Sequence, residues 1–170
     1  MKAIATVEAG PEGAFLLHDG KQVPVILFER HKFREFTDGR FDNAVPDLSN
    51  PVRGGYGTYS SQHVRLARAA KLDRTAAMKS CSWGLYQIMG FNHEAAGFPE
   101  LQRFINAMYR SADDHLRALV MFLRHDEKKV DAIRSKNWNS FAYLYNGPGF
   151  ARDKYDERIA AAYEKLTANA

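Results

Sequence analysis

CSWGLYQIMGFN, residues 81–92, sets a tryptophan, a tyrosine, a glutamine, an asparagine and two glycines into a run that otherwise reads apolar. The chain on either side shows what kind of fold has to house it. Downstream of residue 61 the pattern is helical: Val64, Leu66, Ala67 and Ala70 offer an apolar stripe, and Asp73 is placed to cap a short helix through Ala76, Ala77 and Met78. Pro99 stands near the start of a helix carrying Leu101, Phe104, Ile105 and Met108. Ser111 with Asp114 resembles a capping box, opening a helix faced by Leu116, Leu119, Val120 and Leu123. Tyr155, Ile159, Tyr163 and Leu166 mark a last helix, and the mixed run 124–129 reads as a solvated helix end or turn.

Upstream, Asp19-Gly20 is a strong hairpin signal between two apolar runs, so a small hairpin over residues 14–29 is expected. Residues 32–61 are rich in Gly, Pro, Asn, Asp and aromatics without a sustained period and read as a long loop. The first residues, with Ile4 and Val7 three apart and Gly10-Pro11 as a stop, form the end of a helix. A helix or module upstream of residue 1 is one expectation; a chain that opens on a short helix satisfies the periodicity equally. The coarse reading is one mainly α domain over residues 1–170 with a single hairpin near its start.

A length of 170 residues suits one domain that buries its own core. No run approaches the roughly 18 apolar residues of a membrane span, so no stable membrane insertion is expected. The single cysteine, Cys81, cannot make an internal disulfide and reads as a small core residue. The net charge of +4 favours approach to anionic partners: nucleic acid, an acidic membrane face or a cell-wall polymer. A clustered basic helix and an aromatic-basic strand are both missing, which argues against nucleic acid.

Metal and nucleotide chemistry find little support. HEAAG, residues 93–97, lacks the second histidine of a zinc-protease helix, and Cys81 has no cysteine companion. RGGYGTYS, residues 53–60, has no lysine-serine end and no strand-to-helix rhythm around it. No cofactor and no metal are expected. The carboxylates say more: Glu8 sits where the first helix ends, Glu29 at the far end of the hairpin, and a hairpin folded back on that helix brings them across one cleft. Glycosidic cleavage needs a carboxylic acid, kept protonated by apolar neighbours, to protonate the leaving oxygen. A second carboxylate then activates water or stabilises charge on the sugar.

Four blocks, VEAG at 7–10, ILFERHKF at 26–33, SCSWGLYQIMGFNH at 80–93 and FAYLYNGPG at 141–149, occur in an order that closely resembles the N-acetylmuramidase domains of bacteriophage and prophage endolysins. The resemblance spans nearly the whole chain. It implies a lysozyme-like helical domain, mainly α (α+β), with the small hairpin flanking a glycan-binding cleft. The activity implied is cleavage of the β-1,4 bond between N-acetylmuramic acid and N-acetylglucosamine in peptidoglycan. Endolysins of this type often carry a separate wall-binding domain upstream. The family's catalytic glutamate falls on Glu8, followed here by Ala9 where the family usually has serine. Glu29 is either the second carboxylate or an acid paired with Arg30 or His31 that shapes the cleft. The family usually carries alanine or serine at Cys81, one small residue for another.

In that frame the opening run becomes a wall that stacks on sugar faces and hydrogen-bonds N-acetyl groups. Trp83 and Tyr86 supply amphipathic rings, Gln87 and Asn92 amides, and Gly84 and Gly90 close backbone approach, while Leu85, Ile88 and Met89 are core. Trp83 either touches sugar or packs beneath the cleft. Tyr145 and Asn146 resemble residues lining the acid's side of the cleft in related lysozymes and transglycosylases; a helix end closed by Asn-Gly with Tyr145 buried is the alternative. His31 and His93 read singly as hydrogen-bonded structural histidines.

The expected activity is therefore muramidase hydrolysis by a monomer. A lytic transglycosylase forming 1,6-anhydro ends, with Glu8 as acid and base in turn, is one alternative, and a non-catalytic wall-binding module is another. With no secretory signal at residue 1, the expected location is the host cytoplasm until another protein's pore gives access to the wall in the periplasm or outside the cell.

Overall fold

The computed structural model describes residues 2–8 and 13–168. The chain opens with helix α1 (Lys2–Glu8) and a β-hairpin, β1 (Phe15–His18) with β2 (Lys21–Pro24). Asp19 and Gly20 both take positive φ, 49° and 72°, the geometry of a two-residue turn that matches strand twist. The hairpin is shorter than expected. Val25 gives its N–H to Ala14 and its carbonyl to the Gly84 N–H at 2.8 Å, and β3 (Ile26–Phe28) departs to a second sheet. There it pairs antiparallel with β4 (Cys81–Trp83), which pairs in turn with β5 (Ile88–Met89). Residues 81–89 are thus two short strands and a turn, an arrangement that a periodicity over so few residues does not disclose.

The stretch expected as loop begins instead with helix α2 (Arg30–Phe36), anchored by the fully buried Phe33. Helix α3 (Gln62–Ala70) follows the remaining loop, and its orientation differs from the apolar stripe expected. Val64 is 51% exposed, and the buried face carries Gln62, His63, Arg65 and Ala69. The polar side chains face inward because each meets backbone groups that lack other partners. Gln62 accepts the Phe28 N–H and donates to the Tyr56 and Thr58 carbonyls, Arg65 donates to the carbonyls of Asp47, Gly55 and Tyr56, and His63 meets the Pro24 carbonyl at 2.9 Å. α3 thereby pins the loop before it onto β3.

Local signals hold in the helical part. Asp73 caps α4 (Arg74–Lys79) by accepting the Ala76 N–H. After α5 (Leu101–Arg110), Ser111 accepts the Asp114 N–H and donates to the Asp114 carboxylate, opening α6 (Ala112–Arg124). Helices α7 (Glu127–Arg134), α8 (Trp138–Asn146) and α9 (Tyr155–Ala168) complete the chain. Tyr155 and Ile159 bury as expected, Leu116 and Leu166 do not. α9 packs along α1 and α8. One core, with Ile26, Phe28, Trp83, Phe104, Leu119, Phe141 and Ile159 at its centre, joins the small sheet to the helices.

Two buried histidines make this fold acid-sensitive. His115 accepts the Leu85 N–H at Nδ1, 3.0 Å, so its one proton sits on Nε2, 2.7 Å from the Met108 carbonyl. Protonating Nδ1 would set one N–H against another. Burial holds His115 and His63 below the ordinary 6.5. The unfolded chain takes up these protons on acidification and the folded chain resists them, so the stability they contribute is complete above about pH 6.5 and lost below it. Each adds a slope of up to about 1.4 kcal/mol per pH unit. Thermal midpoints recorded from about pH 8 to about pH 5 are expected to be level at first and to fall below 6.5. A midpoint that stayed level to pH 5 would contradict this. The hydrogen-bonded carboxylates Asp42 and Asp47, held below their ordinary 3.8 by Ser49 and Arg68 respectively, act only in a more acidic window.

Candidate functional site

Where the small sheet meets the ends of α6 and α8, the surface opens into a cleft of about 460 Å3. Glu29, His31 and Lys32 stand on one side, at the junction of β3 and α2. Tyr86, Gln87 and Met89 form the back, continuing into Phe91 and Asn92 of a 3-10 turn (Gly90–Asn92). Phe122 of α6 and Tyr145, Asn146 and Gly147 at the end of α8 face them, with Arg53 on the rim.

Glu29 is fixed before its side chain is considered: its N–H donates to the Ser80 carbonyl at 3.0 Å, and its own carbonyl accepts from the first turn of α2. The carboxylate is 17% exposed. Oε1 accepts from the Tyr56 hydroxyl at 3.3 Å, and Oε2 lies 3.1 Å from His31 Nδ1 without hydrogen-bond alignment. Burial lowers the His31 pKa more than the Glu29 charge raises it, so the imidazole is neutral at neutral pH and the contact is not an ion pair. Burial and the same carboxylate push the Tyr56 phenol upward, which keeps its proton available to Glu29. Of the partners weighed for Glu29, His31 is therefore the neighbour. Arg30 turns away to the Val52 carbonyl.

Glu8 is the last residue of α1. Its side chain, and residues 9–12 including Ala9, lie outside the described residues. The helix end itself is held by α9, where Arg158 donates to the Val7 carbonyl at 3.1 Å. One turn away on α9, Tyr155 stacks on Tyr145 with ring centroids 6.2 Å apart. The end of α1 and the α8 side of the cleft therefore rest on the same turn of one helix.

The residues of the opening run divide. Tyr86 and Asn92 line the cleft, and the Tyr86 carbonyl accepts from the Tyr145 hydroxyl at 3.1 Å, tying back to facing wall. Asn146 ends α8, and Gly147 at φ 75° turns the chain away. Trp83 is placed differently from a sugar-stacking residue: it is 1% exposed and donates its indole N–H to the Met78 carbonyl, bracing the wall from behind. Gln87 reaches the cleft, but its amide is engaged by its own turn, donating to the Gly84 and Val25 carbonyls and accepting from Ser82. That network holds Gln87 at a φ of +48° and leaves the amide no ready hydrogen bond for a ligand.

Sequence reasoning missed Tyr56, Lys32, Arg53, Phe91 and Phe122. For Tyr56 and Arg53 a signal existed in the glycine-rich run at 53–57. Gly54, Gly55 and Gly57 take positive φ, and a Cβ on Gly55 would stand 2.8 Å from the Arg30 guanidinium. Those glycines serve a tight loop that brings Tyr56 to Glu29, which is why they carry no phosphate signature.

A family model described as Muramidase: N-acetylmuramidase matches residues 1–167. Among solved structures, the endolysin of a Burkholderia phage, AP3, superposes with a TM-score of 0.85 at 37% sequence identity, covering 98% of this chain and 64% of that one. The chain thus spans slightly under two thirds of that endolysin's length. Comparison with curated proteins gives no match.

Proposed function

The chain belongs to the N-acetylmuramidase family, and from that premise we propose that it hydrolyses the β-1,4 bond between N-acetylmuramic acid and N-acetylglucosamine in peptidoglycan, with Glu8 as the acid. The observation that carries the reading is the sheltered carboxylate of Glu29, held in an amphipathic cleft by Tyr56 and a neutral His31. Glu8 gives its proton to the bridging oxygen as the bond to C1 breaks and the sugar gains oxocarbenium character. Tyr56 occupies Oε1 of Glu29, so Oε2 and His31 Nδ1 remain to orient a water. That water adds to C1 and leaves its proton on Glu29. Tyr86, Asn92, Tyr145 and Asn146 contact the sugars, and Trp83 and Gln87 shape the wall they stand on.

In this proposal the protein acts as a monomer, waits in the host cytoplasm and reaches the wall through another protein's pore. Among the described residues no helix is long and apolar enough to cross a membrane.

Mass spectrometry of soluble fragments released from purified peptidoglycan tests the reaction. Hydrated muramic reducing ends are expected. Anhydro ends would replace hydrolysis by transglycosylation, and absence of released glycan would leave a binding module. Glu29→Gln keeps the shape of the side chain and removes the base, so kcat is expected to fall by about a hundredfold or more with KM little changed. A loss of only a few-fold would take Glu29 out of the chemistry and leave a single-acid mechanism.

A further inference from the structure

Arg53 is a cation without a counter-charge. Among the described residues its guanidinium has neither a hydrogen bond nor an ion pair, although it is close enough to weigh on the titration of both His31 and Tyr56. Glu29, the carboxylate of the cleft, does not serve it, because Oε1 takes the Tyr56 hydroxyl and Oε2 faces His31.

The backbone that carries Arg53 is held on both sides. The preceding carbonyl, of Val52, accepts from Arg30, and the Val52 N–H donates to Asn50. Two residues on, the Gly55 carbonyl accepts from Arg65. The neighbouring arginines are thus used to fix the loop, and Arg53 alone is left pointing at open space.

That space has a form. A second hollow of about 410 Å3 opens off the cleft, shares Arg53, Asn146 and Gly147 with it, and runs over Phe150 to Arg152 and Asp153. Arg152 and Asp153 approach each other only to 3.9 Å at a highly exposed site, an arrangement that contributes little pairing. A linear sugar chain needs one groove. A groove with a side hollow, and an unpaired guanidinium where the two meet, fits a branched polymer with an anionic branch.

We infer that Arg53 binds a carboxylate of the peptide carried on the lactyl arm of N-acetylmuramic acid, so that the enzyme reads the branch of its substrate as well as the sugar backbone. The inference rests on the peptidoglycan reading above. The β-1,4 amino-sugar backbone is uncharged, so a guanidinium beside it finds its anion on the branch. The planar fork of arginine matches a carboxylate through two parallel N–H···O bonds, which a lysine cannot reproduce.

The test compares kcat/KM on soluble glycan strands bearing stem peptides with that on the same strands stripped of peptide by an amidase, which leaves a free lactyl carboxylate. Arg53→Ala is expected to lower the preference for peptide-bearing over stripped strands by about five- to tenfold, a modest factor because the site is exposed. Arg53→Lys is expected to restore only part of it. An equal loss on both substrates, or no loss on either, overturns the assignment; a loss confined to stripped strands overturns it in favour of the lactyl carboxylate. Calorimetric titration with N-acetylmuramyl-tetrapeptide separates this from failure of the muramidase reading. An unsubstituted protein that cleaves neither substrate sinks the activity. Weaker binding of the tetrapeptide to Arg53→Ala still upholds the subsite, and equal binding rejects it.

Discussion

Glu8→Gln is expected to reduce glycan cleavage by about a thousandfold or more while leaving wall binding and the thermal midpoint nearly unchanged. The amide has the volume of the acid but cannot surrender a proton to the bridging oxygen, so the leaving sugar must depart as an alkoxide. No other described group in the cleft is suited to replace it: His31 is neutral at neutral pH, the Tyr56 phenol is pushed above its ordinary value, and Glu29 is held as a hydrogen-bond acceptor. The change should also be structurally mild. α1 is anchored through Ala3 and Ile4 in the core and through Arg158 at the Val7 carbonyl, none of which involves the Glu8 side chain. Product release from purified peptidoglycan, with circular dichroism as a fold control, measures the effect. A folded variant that retained a tenth of the rate would remove Glu8 as the acid and turn attention to Glu29.

The largest stability effect is expected from Gly90→Ala. A Cβ at Gly90 would lie 2.1 Å from the Met78 carbonyl oxygen and 3.1 Å from the Lys79 Cα, both backbone atoms that cannot rotate aside. The same Met78 carbonyl accepts the Trp83 indole N–H, so relief of the clash costs the brace behind the cleft wall as well. Overpacking against a fixed backbone costs about 3 kcal/mol at the upper end of the usual range. In a domain of this size that lowers the thermal midpoint by roughly 6–12 °C. Gly90 also opens the 3-10 turn bearing Phe91 and Asn92, so activity should fall further than stability alone explains. A midpoint within about 2 °C of the parent would mean that the wall and α4 are not in the contact described.

Much of the helical framework was legible because its signals are local. Asp73 and the Ser111–Asp114 pair cap helices through bonds three residues long, and Asp19-Gly20 makes its turn from its own dihedral preferences. α2 escaped notice since a helix of seven residues offers too few positions to display a period. The side-on view of α3 failed for a different reason: its inward face is chosen by carbonyls of residues 24 and 47–58, which the fold brings to it from far along the chain.

The same division runs through the candidate site. By itself the sequence determined that the chain is mainly helical with a short hairpin, that it falls among the muramidases, and that Glu8 and Glu29 are the carboxylates to test. It also marked Gly84 and Gly90 as points of close approach, and the structure sets the His115 ring against the first and the Met78 carbonyl against the second. Only the tertiary structure decided that β3 leaves the hairpin for a second sheet, that Trp83 braces the wall from behind, that the Gln87 amide closes its own turn, and that Tyr56 and His31 surround Glu29. The physical reason is that caps, turns and periods are written in bonds between near neighbours. The direction of a polar side chain depends on which backbone groups remain unpaired once distant segments have met.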